Sequence, residues 1–150
     1  MPKFHYFIIS VLLVLSLSLA HLVGNPGCAG NLEHDQTVKV NNQVLPVQKA
    51  DSQTERQKGL SGLDCIGPNE GMLFIFDRPG HYSFWMKDTR FAIDIVWLSA
   101  DKKVVDQQLN IKPSTYPQTF TNDKPAKYVL EIPAGQADHF GSTEGNQLSF

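Results

Sequence analysis

The chain has 150 residues, enough for one domain and hardly for two, and its 41% hydrophobic, 19% charged and 10% aromatic content is that of a globular protein rather than a disordered or coiled-coil one. Thirteen basic against fifteen acidic residues leave a net charge of −2, so the basic footprint of a nucleic-acid binder is missing. Two cysteines are too few for a four-thiolate zinc site or a disulfide-rich scaffold.

Lys3 precedes an apolar run from Phe7 to Ala20, interrupted only by serines, and Ser18-Leu19-Ala20 has the small-x-small form of a cleavage site. A basic start, an apolar stretch and small residues at its end predict a signal peptide over residues 1–20. The alternative is an uncleaved membrane anchor reaching about Val23, although a span needs about 20 apolar residues and His21 breaks this run early. A lipid attached at Cys28 is the third option. Asn25-Pro26-Gly27 before it resembles a lipidation site poorly. All three predict a domain outside the cytoplasm, periplasmic or secreted, or membrane-anchored through this segment alone. Residues 21–36, rich in Gly, Asn and His and without periodicity, are expected to form a linker. Residues 37–150 are expected to form one β-rich domain.

Within it, Thr37 to Asn41 alternates as a strand does, and Val44 to Ala50 is its expected partner after a turn at Asn42-Gln43, with Pro46 placing that partner at a sheet edge. Ser52-Gln53-Thr54-Glu55 is a capping-box pattern, so a helix should start near Ser52 and end early at Gly59. After a loop over Gly67 to Gly71, the continuous apolar run Met72 to Phe76 predicts a strand covered on both faces. Tyr82 to Met86 and Phe91 to Leu98 follow as strands, then a turn at Asp101-Lys102 and a return strand from Lys103 to Leu109. Pro113, Pro117 and Pro125 mark a long irregular connection. Tyr128 to Ile132 is a further strand, Ala134 to Phe140 a helical turn, and Gln147 to Phe150 a final strand. Phe74, Phe76, Phe91, Ile93, Ile95, Trp97 and Leu130 are the expected core. The expected fold is therefore α+β and mainly β: a compact small barrel or sandwich of short strands with one or two short helices.

The order of motifs is specific. Glu55-Arg56-Gln57-Lys58-Gly59-Leu60 is followed by Gly71-Met72-Leu73-Phe74-Ile75-Phe76, then Phe84-Trp85-Met86-Lys87-Asp88-Thr89, Ile93-Asp94-Ile95-Val96, and Val129-Leu130-Glu131-Ile132-Pro133-Ala134-Gly135. From Val38 to Phe150 the chain resembles the domain of unknown function 192 family, a group of uncharacterised bacterial and archaeal proteins. The resemblance implies a small β-dominated α+β domain, often behind an N-terminal signal or anchor, and no established reaction. Two departures stand out. The family usually has an arginine soon after Gly-Leu, where this chain has Ser61-Gly62-Leu63-Asp64-Cys65. It often has asparagine between Lys and Thr, where this chain has Asp88.

Several residues are candidates for chemistry. Asp94 lies inside an apolar strand, so it is either a base or ligand-orienting group, or a buried partner of Lys87, Arg90 or backbone N–H groups. Trp85, Met86 and Lys87, beside Asp88 and Thr89, would line a pocket for an anionic or aromatic ligand; otherwise Trp85 and Met86 are core and Lys87 is solvated. Arg56 and Lys58 would meet an acidic ligand or simply face water. Glu131 either points outward from its strand or joins Asp94 in a polar site. Cys65 would be a nucleophile with His81 or His139 as base, or a disulfide partner of Cys28, or free. Metal-ligand spacing, glycine-rich phosphate loops and nucleophile elbows do not occur, so neither metal nor cofactor is expected.

These features favour an exported domain that binds a small molecule, peptide or envelope component without catalysis. The alternatives are a hydrolase-like enzyme using Asp94, Lys87 and Cys65, and a protein-interaction module working through a sheet edge. The expected partners are a small molecule or an envelope protein, with no nucleic acid.

Overall fold

The computed structural model describes Cys28 and residues 32–150. The expected signal or anchor segment lies outside the described residues. Among those residues no helix is long and apolar enough to cross a membrane.

Strands β1 (Gln36–Val40) and β2 (Gln43–Ala50) form an antiparallel hairpin. Helix α1 (Gln53–Lys58) follows, then β3 (Gly71–Gly80), β4 (Ser83–Trp85), β5 (Ile93–Leu98), β6 (Val104–Ile111), β7 (Thr119–Thr121), β8 (Ala126–Pro133) and α2 (Gln136–Phe140). Six strands make one sheet in the order β1-β2-β3-β8-β5-β6, and β4 pairs with β7 in a small second sheet. The only parallel pairing in the six-stranded sheet is β2 with β3. The fold is thus mainly β with two short helices, as expected.

Local chemistry accounts for much of this. The capping box is formed: the Ser52 hydroxyl accepts from the Glu55 amide while the Glu55 carboxylate accepts from the Ser52 amide. β5 is buried along its whole length because both faces of the sheet are covered. One face packs Phe74, Ile93, Ile95, Trp97 and Val129 under the β4–β7 ribbon and the 60–66 segment. The other packs Leu73, Val96, Leu98, Leu130 and Ile132 against Phe140 and Leu148.

Some expectations need correction. Pro46 is not on an edge strand, since β2 lies between β1 and β3. β3 pairs with β2 only from Val47 onward, so the missing N–H of Pro46 breaks no ladder on that side. Phe76 and Phe91 are only partly buried at the margin of the first core. β7 lies inside the connection expected to be irregular. The last segment is no full strand but a pair of bridges: Lys39 exchanges backbone hydrogen bonds with Ser149, and Gln147 bridges Lys103. Within the expected linker, Leu32 is buried in the core and the His34 ring meets the Glu70 carboxylate at 2.6 Å. Its Cys28 is joined to Cys65, with Cα atoms 6.1 Å apart.

Candidate functional site

A cavity of about 590 Å³ opens between α1, the β4–β7 ribbon and the large sheet. Its walls are Phe74, Phe76, Tyr82, Phe84 and Trp85, with Arg56, Lys58 and Gln57 from α1, the hydroxyls of Ser61, Ser83 and Thr89, and Glu131 from β8.

Each wall has a local cause. Gly59 ends α1 with φ at +50°, and a Cβ there would already touch the Phe74 ring at 3.4 Å. That close approach lays α1 over the aromatic wall. Arg56 is held by two carbonyls, Asp51 O and Ile75 O, the latter at 2.8 Å. Its guanidinium sits 5.3 Å from the Phe76 centroid, and Tyr82 stacks on the same ring at 3.5 Å. The Tyr82 backbone is fixed by the buried Asn122, whose Oδ1 accepts from Tyr82 N at 2.8 Å, and by the Trp97 indole donating to Tyr82 O. Phe84 meets Phe74 edge to face at 5.0 Å.

Glu131 is the unusual member. It is 5% exposed, faces the first core between Met72 of β3 and Ile95 of β5, and lines the cavity. Gly71 packs against its backbone so tightly that a Cβ there would fall 2.6 Å from Glu131 O. No described residue forms an ion pair or hydrogen bond with its carboxyl, and burial alone pushes its pKa up from 4.5 to about 8. The acid is therefore mostly protonated at neutral pH.

The expected site residues separate. Trp85, 50% exposed, and Thr89 line the cavity, as do Arg56 and Glu131. Met86, 2% exposed, is core and does not line it. Lys87 is exposed, with Nζ 5.8 Å from the Trp85 centroid. Asp88 lines a smaller neighbouring cavity with Ser61, Gly62, Thr89 and Arg90. Its φ is +55°, a left-handed conformation that asparagine and aspartate tolerate best.

Asp94 is not paired with Lys87. It is fully buried on the opposite face of the sheet from Glu131, accepting from Asn110 N at 2.8 Å and Ala137 N at 3.0 Å. Of the three expected partners, only the backbone N–H groups apply; Arg90 pairs with Asp64 instead. Even-numbered positions of β5 face the second core, so Asp94 follows Val96 and Leu98 away from Trp97. The hydrolase constellation does not assemble: Cys65 is bonded to Cys28, and the His81 ring contacts Asn122 O at 2.9 Å. His139 is exposed on α2, which covers the second core. A lipid on Cys28 is likewise incompatible with that bond. Glu131 neither points outward nor joins Asp94. Among the described residues no cluster of three or more His, Cys, Asp or Glu side chains is placed to hold a metal ion.

Sequence reasoning treated Phe74 and Phe76 as core alone and missed Tyr82 and Phe84 as cavity walls. The available signal was parity. Phe74 and Phe76 share a face of β3, and Glu131 shares one with Val129, in a strand whose neighbours are apolar on both sides. A glutamate there cannot reach water by facing outward.

The DUF192 family model, described as "Uncharacterized ACR, COG1430", matches residues 36–150. The chain belongs to the DUF192 family. Two solved structures are similar at a TM-score of 0.69 each. One is a proposed transcription regulator from Sinorhizobium meliloti 1021, 26% identical, over 75% of this chain and 89% of that one. The other is a protein of unknown function from Novosphingobium aromaticivorans DSM 12444, 28% identical, over 76% and 82%. Comparison with curated proteins gives no match.

Proposed function

We propose that this DUF192 domain is an exported small-molecule-binding domain, and that its ligand occupies the aromatic cavity without being turned over. The observation that carries this is Glu131, a carboxyl buried in the wall of an open cavity with no partner among the described residues. A buried unpaired acid is destabilising, and such groups concentrate where function requires them. Aromatic walls with few polar groups are the usual make-up of a small-molecule site. The export part rests on the Lys3 start and apolar run to Ala20, and on a Cys28–Cys65 pair suited to an oxidising compartment. A regulator role like that proposed for the Sinorhizobium meliloti protein would need a DNA footprint, against which the net charge of −2 argues.

A second use of the same cavity has one observation in its favour. A carboxyl still protonated at pH 7 is what a general acid needs. The residues first considered for hydrolysis do not supply its partner, and binding is the simpler use.

Thermal shift with choline, benzoate, glucose and indole tests the binding role. A ligand that binds only the folded state raises apparent stability by about 2.7 kcal/mol at a hundredfold excess over Kd. At least one compound should raise the melting temperature of the parent and not of Gln57→Trp, which fills the cavity mouth from the exposed face of α1. Equal shifts in both proteins would place the binding elsewhere and reject this cavity as the site.

A further inference from the structure

Building on the assignment of the aromatic cavity as a ligand site, we infer that the ligand is an organic cation, an ammonium group on an apolar body, seated between the Glu131 carboxyl and the faces of Phe74, Phe84 and Trp85.

The described lining residues contain a single acid, Glu131. It is 95% buried by exposure and lies on the sheet side of the cavity, where no described side chain neutralises it. Five aromatic rings line the same cavity, and their faces carry negative quadrupole density and attract cations, most of all the weakly hydrated alkylammonium type. The protein's own cations already use two of them: Arg56 lies over Phe76, and Lys87 over Trp85. Tyr82 stacks on Phe76, so with Arg56 that ring is occupied. Phe74 and Phe84 meet each other edge to face at 5.0 Å and Trp85 meets Tyr116 at 5.8 Å, so what is left for a guest is the cavity-facing surface of these rings, most of it on Phe84 and Trp85.

An anion fits worse. It would meet Arg56 and Lys58 along the wall, but the negative faces of the aromatic rings repel it and the ionised form of Glu131 offers it nothing. A neutral guest fills the walls and leaves the carboxyl protonated, so it draws no charge attraction from it. A cation ionises it: the carboxyl proton passes to solvent, and the carboxylate and ammonium remain as a buried pair in an aromatic box.

The charged and titratable groups facing Glu131 across the cavity are Arg56 and Lys58 of α1 and Tyr82 of the β3–β4 connection; β3 and β5 present Met72 and Ile95 beside it, and β4 adds Ser83, Phe84 and Trp85. Among the described residues no second carboxyl or histidine lines the cavity. Cation binding should therefore release one proton below pH 8, and tighten as pH rises toward that value.

Three probes of one shape separate charge from fit: choline, its neutral isostere 3,3-dimethylbutan-1-ol, and 3,3-dimethylbutanoate. Their affinities for the protein isolated from expressing cells, and for Glu131→Gln, are read by calorimetry at pH 6, 7 and 8. Choline should bind at least tenfold more tightly than the alcohol at pH 8. Its affinity should fall about tenfold per pH unit below that, while the alcohol's stays level. Glu131→Gln should erase the preference and keep the alcohol's affinity; circular dichroism reports that it is folded. If the alcohol or the butanoate binds as tightly as choline at pH 8, the cation assignment is overturned while the cavity remains a ligand site. Silence of all three at millimolar concentration overturns the cation assignment, while the ligand site itself stands or falls on the thermal-shift comparison with Gln57→Trp.

Discussion

Replacing Glu131 by Gln should stabilise the protein at neutral pH and leave it unchanged in acid. Its carboxyl pKa is near 8 in the folded protein and near 4.5 when exposed, so the folded state binds more protons than the unfolded state between those values. The folded state is unpenalised by this group below about pH 4.5 and loses stability as pH rises toward 8. Each unit is worth about 1.4 kcal/mol, so holding the acid neutral at pH 7 costs on the order of 3 kcal/mol. Glutamine has nearly the same size and polarity as the neutral acid, so it removes the pH-dependent part and little else. The assay is urea unfolding of parent and variant at pH 4.5, 6 and 7.5, with the two curves subtracted so that other titrations cancel. The difference should be near zero at pH 4.5 and grow steadily to pH 7.5. A difference that is flat with pH, or a variant less stable than the parent at pH 7.5, would show that Glu131 is solvated or paired and refute the reasoning.

Asp94→Ala leaves the buried Ala137 N–H and the more accessible Asn110 N–H without their acceptor and should cost about 2–4 kcal/mol, whereas Lys87→Met, at an exposed position, should change stability by no more than about 0.5 kcal/mol; coupling between the two in a double-mutant cycle would contradict the backbone assignment. Trp97→Ala should cost about 3–5 kcal/mol and Phe76→Ala clearly less, because only the former is fully buried; equal melting temperatures for the two variants would argue against that difference. The Cys28–Cys65 bond closes 37 residues of chain, so reduction should lower stability by about 3–4 kcal/mol by loop entropy, read as a drop in melting temperature with reductant that Cys65→Ser abolishes. Intact-mass spectrometry of protein from expressing cells should show the first 20 or so residues removed; an intact Met1 terminus in the membrane fraction would favour the anchor.

What could be read from the sequence was local. The Ser52–Glu55 capping box involves four consecutive residues, and the β5 run FAIDIVWL could hardly be anything but a buried strand. What could not be read was which strands become neighbours. Glu131 and Asp94 lie on adjacent strands, one step out of register, and that step sends their carboxyls to opposite faces. Proximity in the chain suggested that Lys87 would reach Asp94, but the turn at Met86 to Thr89, with Asp88 left-handed, sends it to solvent. β7 escaped notice because three residues around a half-buried Phe120 carry too little periodicity among prolines.

The bridges made by residues 145–149 bear on how the chain matures. Ser149 exchanges backbone bonds with Lys39, Leu148 N bonds to Lys102 O, and Val104 exchanges bonds with Asn146 and Gly145. One short segment thus ties the hairpin of β1 and β2 to the hairpin of β5 and β6, the two flanks of the sheet. A nascent chain that has not yet released this segment lacks the tie and leaves Leu148 out of the second core. The sheet can begin to pair before this segment emerges, but its flanks are joined only once it does. Shortening this segment by even five residues should expose both flanks to pairing with other copies.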